Sequence, residues 1–166
     1  MMYDEHPNYV KNEYWKTIAI HDDDNVRGFF GPYRFLSNFE LATVEYEGIL
    51  FPSVENAYQA AKVLFEHRHI FQCVSAYQSK KIWNQFELVD KSSEEWDKRK
   101  LKVMEICLRQ KFYSGTDYAY KLIATGDKYL SEYNWWGDLF YGFDVNLNKG
   151  RNELGKLLMK IRNELK

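Results

Sequence analysis

The chain has 166 residues, a length that fits one domain with a sizeable core and argues against two. Its formal net charge is −1, with Lys and Arg interspersed among Asp and Glu, which excludes the basic stripe that holds an extended nucleic acid. Aromatic residues reach 17%, with 13 Tyr, 11 Phe and 5 Trp, and this excess implies a ring-rich core and a site able to stack flat ligands.

Residues 1–27 are polar, carry Asp22, Asp23 and Asp24 in a row, and read as a solvated extension; the run lacks the alternating ligands and the glycine of a calcium loop. From Thr43, Val44 and Tyr46 alternate with Glu45 and Glu47 before Gly48 and "ILF", which predicts a hairpin turning at Glu47-Gly48 and closed by Pro52. Ser53 is an N-cap candidate for a helix with an apolar stripe of Val54, Ala57, Tyr58, Ala61, Leu64 and Phe65. Glu55, Gln59, Lys62 and Glu66 form a polar stripe on that helix. A shorter helical region follows around residues 68–78, and Ser92 with Glu95 predicts a capping box before a long helix bearing Trp96, Val103, Met104, Cys107, Leu108 and Phe112. A further helix ends at Gly126, Lys128–Tyr133 reads as a strand, and a loop dense in Trp, Gly, Asp and Asn precedes an amphipathic helix of Leu154, Leu157, Leu158, Ile161 and Leu165. Helices outnumber strands, so the expected class is α+β with a small antiparallel sheet. Cys73 and Cys107 are expected as buried, reduced thiols, and with no apolar run of membrane-spanning length the expected setting is cytoplasmic.

Common chemical signatures are absent. Neither "GFFGPY" nor "TGDKY" has the glycine spacing of a dinucleotide fingerprint or a P-loop. Glu66, His67 and His69 look like metal ligands, yet side chains two apart on a helix diverge, so neither a metal nor a cofactor is expected. Glu55 sits in a first helical turn, where the backbone dipole favours a carboxylate, and that alone explains it structurally. Lys62 lies two turns further on, about 10 Å along the axis: too far for a direct ion pair, suited to gripping the other end of a small ligand, and equally consistent with a solvated lysine. Trp96 is either a core anchor or a stacking platform. Trp135 and Trp136 are adjacent, so one of them faces a surface or cleft. Asp138 follows them, where a carboxylate beside an aromatic wall suits a cationic sugar centre or simply caps a turn.

Taken together, "RFLSNF" (Arg34 to Phe39), "EGILFPSVENAYQAAK" (Glu47 to Lys62), Trp96 followed by Val103-Met104, "ATGDKYLSE", "WWGDLFYG" and "RNELGKLLMKIR" resemble the NADAR, or YbiA-like, family in its own order, over about residues 28–165. The resemblance implies a single, mostly helical α+β domain at 28–166 after an extension at 1–27. It also implies cleavage of an N-glycosidic bond between ribose and a nitrogen heterocycle, in an ADP-ribosylated guanine base or a phosphoribosylamino-pyrimidine of riboflavin synthesis, including toxin-antitoxin or phage-related settings. By the same resemblance Glu55, Asp138, Trp96, Trp136 and Lys62 are the catalytic candidates, and Arg34, Phe35, Ser37, Asn38, Phe39, Tyr58, Gln59 and Asn152 the substrate-binding ones.

Breaking a ribosyl C–N bond builds positive charge at C1, so it calls for a carboxylate, a means of neutralising the departing base and a positioned water or amine. Glu55 or Asp138 supplies the first, Trp96 and Trp136 stack or wall off the base, and Lys62 binds phosphate or attacks C1. If a nucleic acid carries the base, it must be presented unpaired or flipped out. The alternatives are a non-catalytic module that binds ADP-ribose or NAD, and an interaction protein whose aromatics are all core.

Overall fold

The computed structural model describes residues 13–166, so the first part of the expected extension lies outside the described residues. The chain divides into two compact units, one formed by Asn38–Lys111 and the other by the described residues up to Ser37 together with Phe112–Lys166.

The described residues begin in the second of these. Residues 13–27, expected as solvated, hold a short helix α1 (Trp15–Ile18) and a strand β1 (Asn25–Arg27), with Ile18 and Val26 buried. The acidic run is the turn that launches β1: Asp22 Oδ1 accepts the Asp24 N–H and the Asn25 side-chain amide, and Oδ2 pairs with Arg27. A 3₁₀ turn, Gly31–Leu36, with proline in its first turn, then carries Arg34 and Phe35.

The unit Asn38–Lys111 opens with the predicted hairpin, β2 (Leu41–Tyr46) antiparallel to β3 (Ile49–Ser53). Glu47 (φ 48°) and Gly48 (φ 80°) make a two-residue turn with both centres left-handed, the twist that matches flanking strands. Ser53 then caps helix α2 (Val54–Ala60) through Asn56 N–H at 3.1 Å. All seven residues of α2 are buried, so it has no solvated polar stripe. The expected continuation through Leu64 and Phe65 does not form. Lys62 C=O instead accepts Val89 N–H, Leu64 N–H bonds Glu87 C=O, and Arg99 holds Ala61 C=O, pulling the chain into a pairing that leaves Phe65 61% exposed. The backbone resumes as a 3₁₀ turn (Phe65–Gln72) and helix α3 (Ala76–Ile82), whose capping box is Ser75 with Gln78.

Helix α4 (Ser93–Lys111) follows the Ser92 cap, but Glu95 reaches back to Lys91 N–H instead of closing a box on Ser92. Val103, Met104, Cys107 and Leu108 form its buried face, and burial pushes the Cys107 thiol up to about 12. Cys73, expected to be buried, is exposed because it ends the 3₁₀ turn instead of lying inside a helix.

In the same unit as residues 13–37, the chain after Lys111 forms α5 (Asp117–Ile123), strands β4 (Tyr129–Ser131), β5 (Tyr133–Asn134) and β6 (Phe143–Asp144), and helix α6 (Glu153–Leu165). β1 lies parallel to β4, with Val26 opposite Leu130, and β5 lies parallel to β6. Helix α6 closes over β4 so tightly that a Cβ on Gly155 would overlap the Leu130 carbonyl and the Asn152 amide. The class is α+β: helices outweigh three two-stranded sheets, the antiparallel hairpin and two parallel pairs. Among the described residues no helix is long and apolar enough to cross a membrane.

Candidate active site

In the Asn38–Lys111 unit, the Ser53 cap and the Glu55 N–H···O=C bond to Asn38, at 3.0 Å, fix the start of α2. Asn56 adds two side-chain bonds, to the carbonyls of Phe71 and Val74 at 2.9 and 2.8 Å. Glu55 is consequently a buried carboxylate on a rigid turn, and one helical turn later Gln59 Nε2 donates to its Oε1 at 2.7 Å. Gln59 Oε1 and Asn38 Oδ1 are buried acceptors with no hydrogen-bond partner among the described residues, a costly state that a hydroxyl or N–H donor would relieve.

Lys62 leaves this helix under three rings. Its Nζ lies 4.1 Å from the Trp83 ring centroid, 5.3 Å from Tyr58 and 5.5 Å from Trp96. Tyr58 and Trp96 touch in turn, centroids 5.2 Å apart. Burial pulls the Lys62 ammonium down to about 8; Lys80 and Lys100 act in the same direction and Glu55 opposes them. Trp96 is fixed by Arg99, whose guanidinium lies 4.7 Å from its ring centroid while chelating Asp90 through Nε and Nη2 at 2.6–2.9 Å. Lys62, Trp83 and Trp96 line a cavity of about 280 Å³, completed by Leu88, Asp90 and residues 91–93 at the start of α4. A wider hollow under the hairpin tip is lined by Leu50, Phe65 and their neighbours and holds none of the predicted site residues.

The other predicted residues belong to the second unit. Trp135 packs against Tyr14 and Phe30, whereas its neighbour Trp136 is 37% exposed. The turn carrying Trp136 and Asp138 is shaped by two buried side chains. Asn134 Oδ1 accepts the N–H groups of Trp136 and Asp138, and Asp144 accepts those of Gly137, Asn146 and Leu147. The Leu147 N–H above all, with those of Gly137 and Asn146, holds the Asp144 carboxyl below its ordinary value against the opposing effect of burial. Asp138 caps the following turn, its Oδ1 accepting Phe140 and Tyr141 N–H at 3.1 and 2.9 Å.

The expected residues therefore divide. Asn38, Glu55, Tyr58, Gln59, Lys62 and Trp96 lie in one unit with Phe39, whose ring sits 5.7 Å from Lys80 Nζ. Arg34, Phe35, Ser37, Trp136, Asp138 and Asn152 lie in the other. Ser37 is buried at the end of the 3₁₀ turn, donating its N–H to Arg34 C=O. Asn152 staples the strands, accepting Glu132 N–H and donating to Leu130 C=O. Among the described residues no group of His, Cys, Asp and Glu is placed to hold a metal ion. No periodic pattern marks Trp83, Arg99, Asn134 or Asp144: Trp83 and Arg99 meet Lys62 and Ala61, far off along the chain, whereas Asn134 and Asp144 collect nearby loop amides.

Comparison with known proteins agrees with this architecture. The NADAR domain profile matches residues 21–166, and so spans both units. "Riboflavin biosynthesis protein VVA0006" of Vibrio vulnificus is 30% identical over 99% of this chain; the chain spans 42% of that protein's length. "N-glycosidase YbiA" of Escherichia coli (strain K12) is 31% identical over 80% of this chain and 82% of its own, and "N-glycosidase Npun_R5314" of Nostoc punctiforme is 29% identical over 81% and 87%. The NMR structure of the Escherichia coli protein YbiA superposes with a TM-score of 0.70 at 27% identity, covering 91% of this chain and 90% of that one. On this evidence of sequence and fold the chain belongs to the NADAR domain family.

Proposed function

We propose that the chain is an N-glycosidase that hydrolyses the bond between ribose C1 and a ring or amino nitrogen of a base, in an ADP-ribosylated guanine or a phosphoribosylamino-pyrimidine. The observation that carries this reading is the buried Glu55–Gln59 pair one and two turns ahead of an amine whose pKa is about 8. The names of the YbiA relatives support the reaction class, and that of the Vibrio vulnificus relative supports a riboflavin-related substrate.

As C1–N breaks, the bonding electrons leave with the base and the Lys62 ammonium gives it a proton, an exchange favoured when the acid titrates near working pH. Glu55 faces the charge that develops at C1 and takes a proton from the water that adds there. The unpartnered oxygens of Asn38 and Gln59 accept ribose hydroxyls.

The lowered pKa also favours a second route. The neutral Lys62 amine attacks C1 as the C1–N bond breaks, one amine proton passes to the departing base, the other passes to the ribose ring oxygen as its bond to C1 opens, and the resulting imine is hydrolysed by water. Incubation with both substrate classes, read by mass spectrometry, is expected to release free base, with Glu55→Gln slower by about 10²–10⁴-fold; release from neither substrate overturns the reading. Borohydride added during turnover leaves a ribosyl mass on Lys62 by the second route and none by the first.

A further inference from the structure

The cavity beside Lys62 is small and mostly apolar, with charged groups of both signs in its wall. At about 280 Å³ it falls just under the roughly 300–1,000 Å³ of sites that enclose a whole small molecule, so it suits one ring system better than a complete nucleotide. Two of its walls are indoles, Trp83 and Trp96, and every nucleobase has a face that stacks on such rings. Its polar groups are complementary. Lys62 brings an ammonium that only donates, and Asp90 a carboxylate with about four acceptor positions, three of them taken by Arg99.

We infer that this cavity seats the departing heterocycle, stacked on Trp83 and Trp96 with a carbonyl edge turned to Lys62 and an N–H edge to Asp90. That makes Trp83 a specificity-determining residue, and the inference rests on the glycosidase reading. The preferred ligand is an oxo-base that also carries ring or amino N–H groups, such as guanine or an amino-oxo-pyrimidine. Guanine offers O6 and N7 as acceptors, whereas adenine puts an amino donor where O6 would be and meets the ammonium donor to donor.

The test is calorimetric titration of the full chain with 9-methylguanine and 9-methyladenine. Methylguanine is expected to bind at least tenfold more tightly than methyladenine. Trp83→Leu, which keeps the wall apolar, is expected to weaken methylguanine about tenfold through lost stacking, and Trp83→Phe to restore most of it. Equal affinity for the two bases, no binding of either, or wild-type affinity in Trp83→Leu overturns the seat. The experiment needs no turnover, so the two readings fail separately. A protein that releases free base from its ribosylated substrate yet binds methylguanine independently of Trp83 loses only the seat. One that binds it through Trp83 and cleaves neither substrate loses only the hydrolase.

Discussion

Lys62 concentrates the competing forces of the site in one side chain. Three rings and Glu55 favour its charged form, burial opposes them, and burial wins, since the pKa falls to about 8. Two consequences follow with opposite signs for the two chemical routes. If Lys62 donates a proton, activity falls as pH rises through about 8; if its amine attacks, activity rises through the same point, and a kcat/KM profile separates them. For stability, the unfolded chain binds the proton up to its ordinary pKa near 10.5, so the wild type gains stability as pH rises from about 8 to 10.5. Lys62→Met removes that dependence. Its advantage over the wild type is expected to be larger at pH 7 than at pH 10 by on the order of 2–3 kcal/mol, measured by urea unfolding.

At the scale of elements, the two-turn helix α2 is too short to persist by propensity alone, so its ends and its burial hold Glu55 in place. Ser53→Ala removes the cap and leaves the Asn56 N–H buried without that acceptor. Thermal unfolding should show a loss of about 1–2 kcal/mol, with activity falling further than stability because the frayed turn is the one that bears Glu55. This element was readable in advance because its signals are local: alternation up to Glu47-Gly48 gave the hairpin, and Ser53 gave the cap. The helix beyond it was misread where locality ended. Ala61, Leu64 and Phe65 continue a helical stripe in the sequence, and only Val89, Glu87 and Arg99, at least 23 positions away, divert the backbone. The site divides in the same way. Glu55 and Trp96 stood out through capping patterns and family motifs, whereas Trp83 gains its importance only from where Lys62 ends, and Asn134 and Asp144 only from the loop amides they collect. Glu66, His67 and His69 lie on a 3₁₀ turn, with the His67 ring against Phe86.

Across the whole molecule, the feature least visible in the sequence is the parallel pairing of β1 with β4, three residues each and about a hundred positions apart. Strands so short carry no periodicity of their own, yet Val26 and Leu130 are both fully buried in the pair. A chain beginning at Gly28 keeps every family motif but removes β1 and strips β4 of its partner. It is expected to lose at least 3 kcal/mol or fail to fold, whereas a chain beginning at residue 13 retains β1, and circular dichroism melts of the two decide the matter. The same pairing imposes an order on biosynthesis. Val26, Phe29, Phe30 and Leu36 leave the ribosome early, but β4 and the helix that closes over it are still unmade for the next hundred residues or so, roughly 5–20 s at ordinary rates of elongation. The unit Asn38–Lys111, continuous in sequence, is finished during that interval. Until β4 is made, Val26 has no strand to pair with, so this sheet closes only after most of the chain has been synthesised.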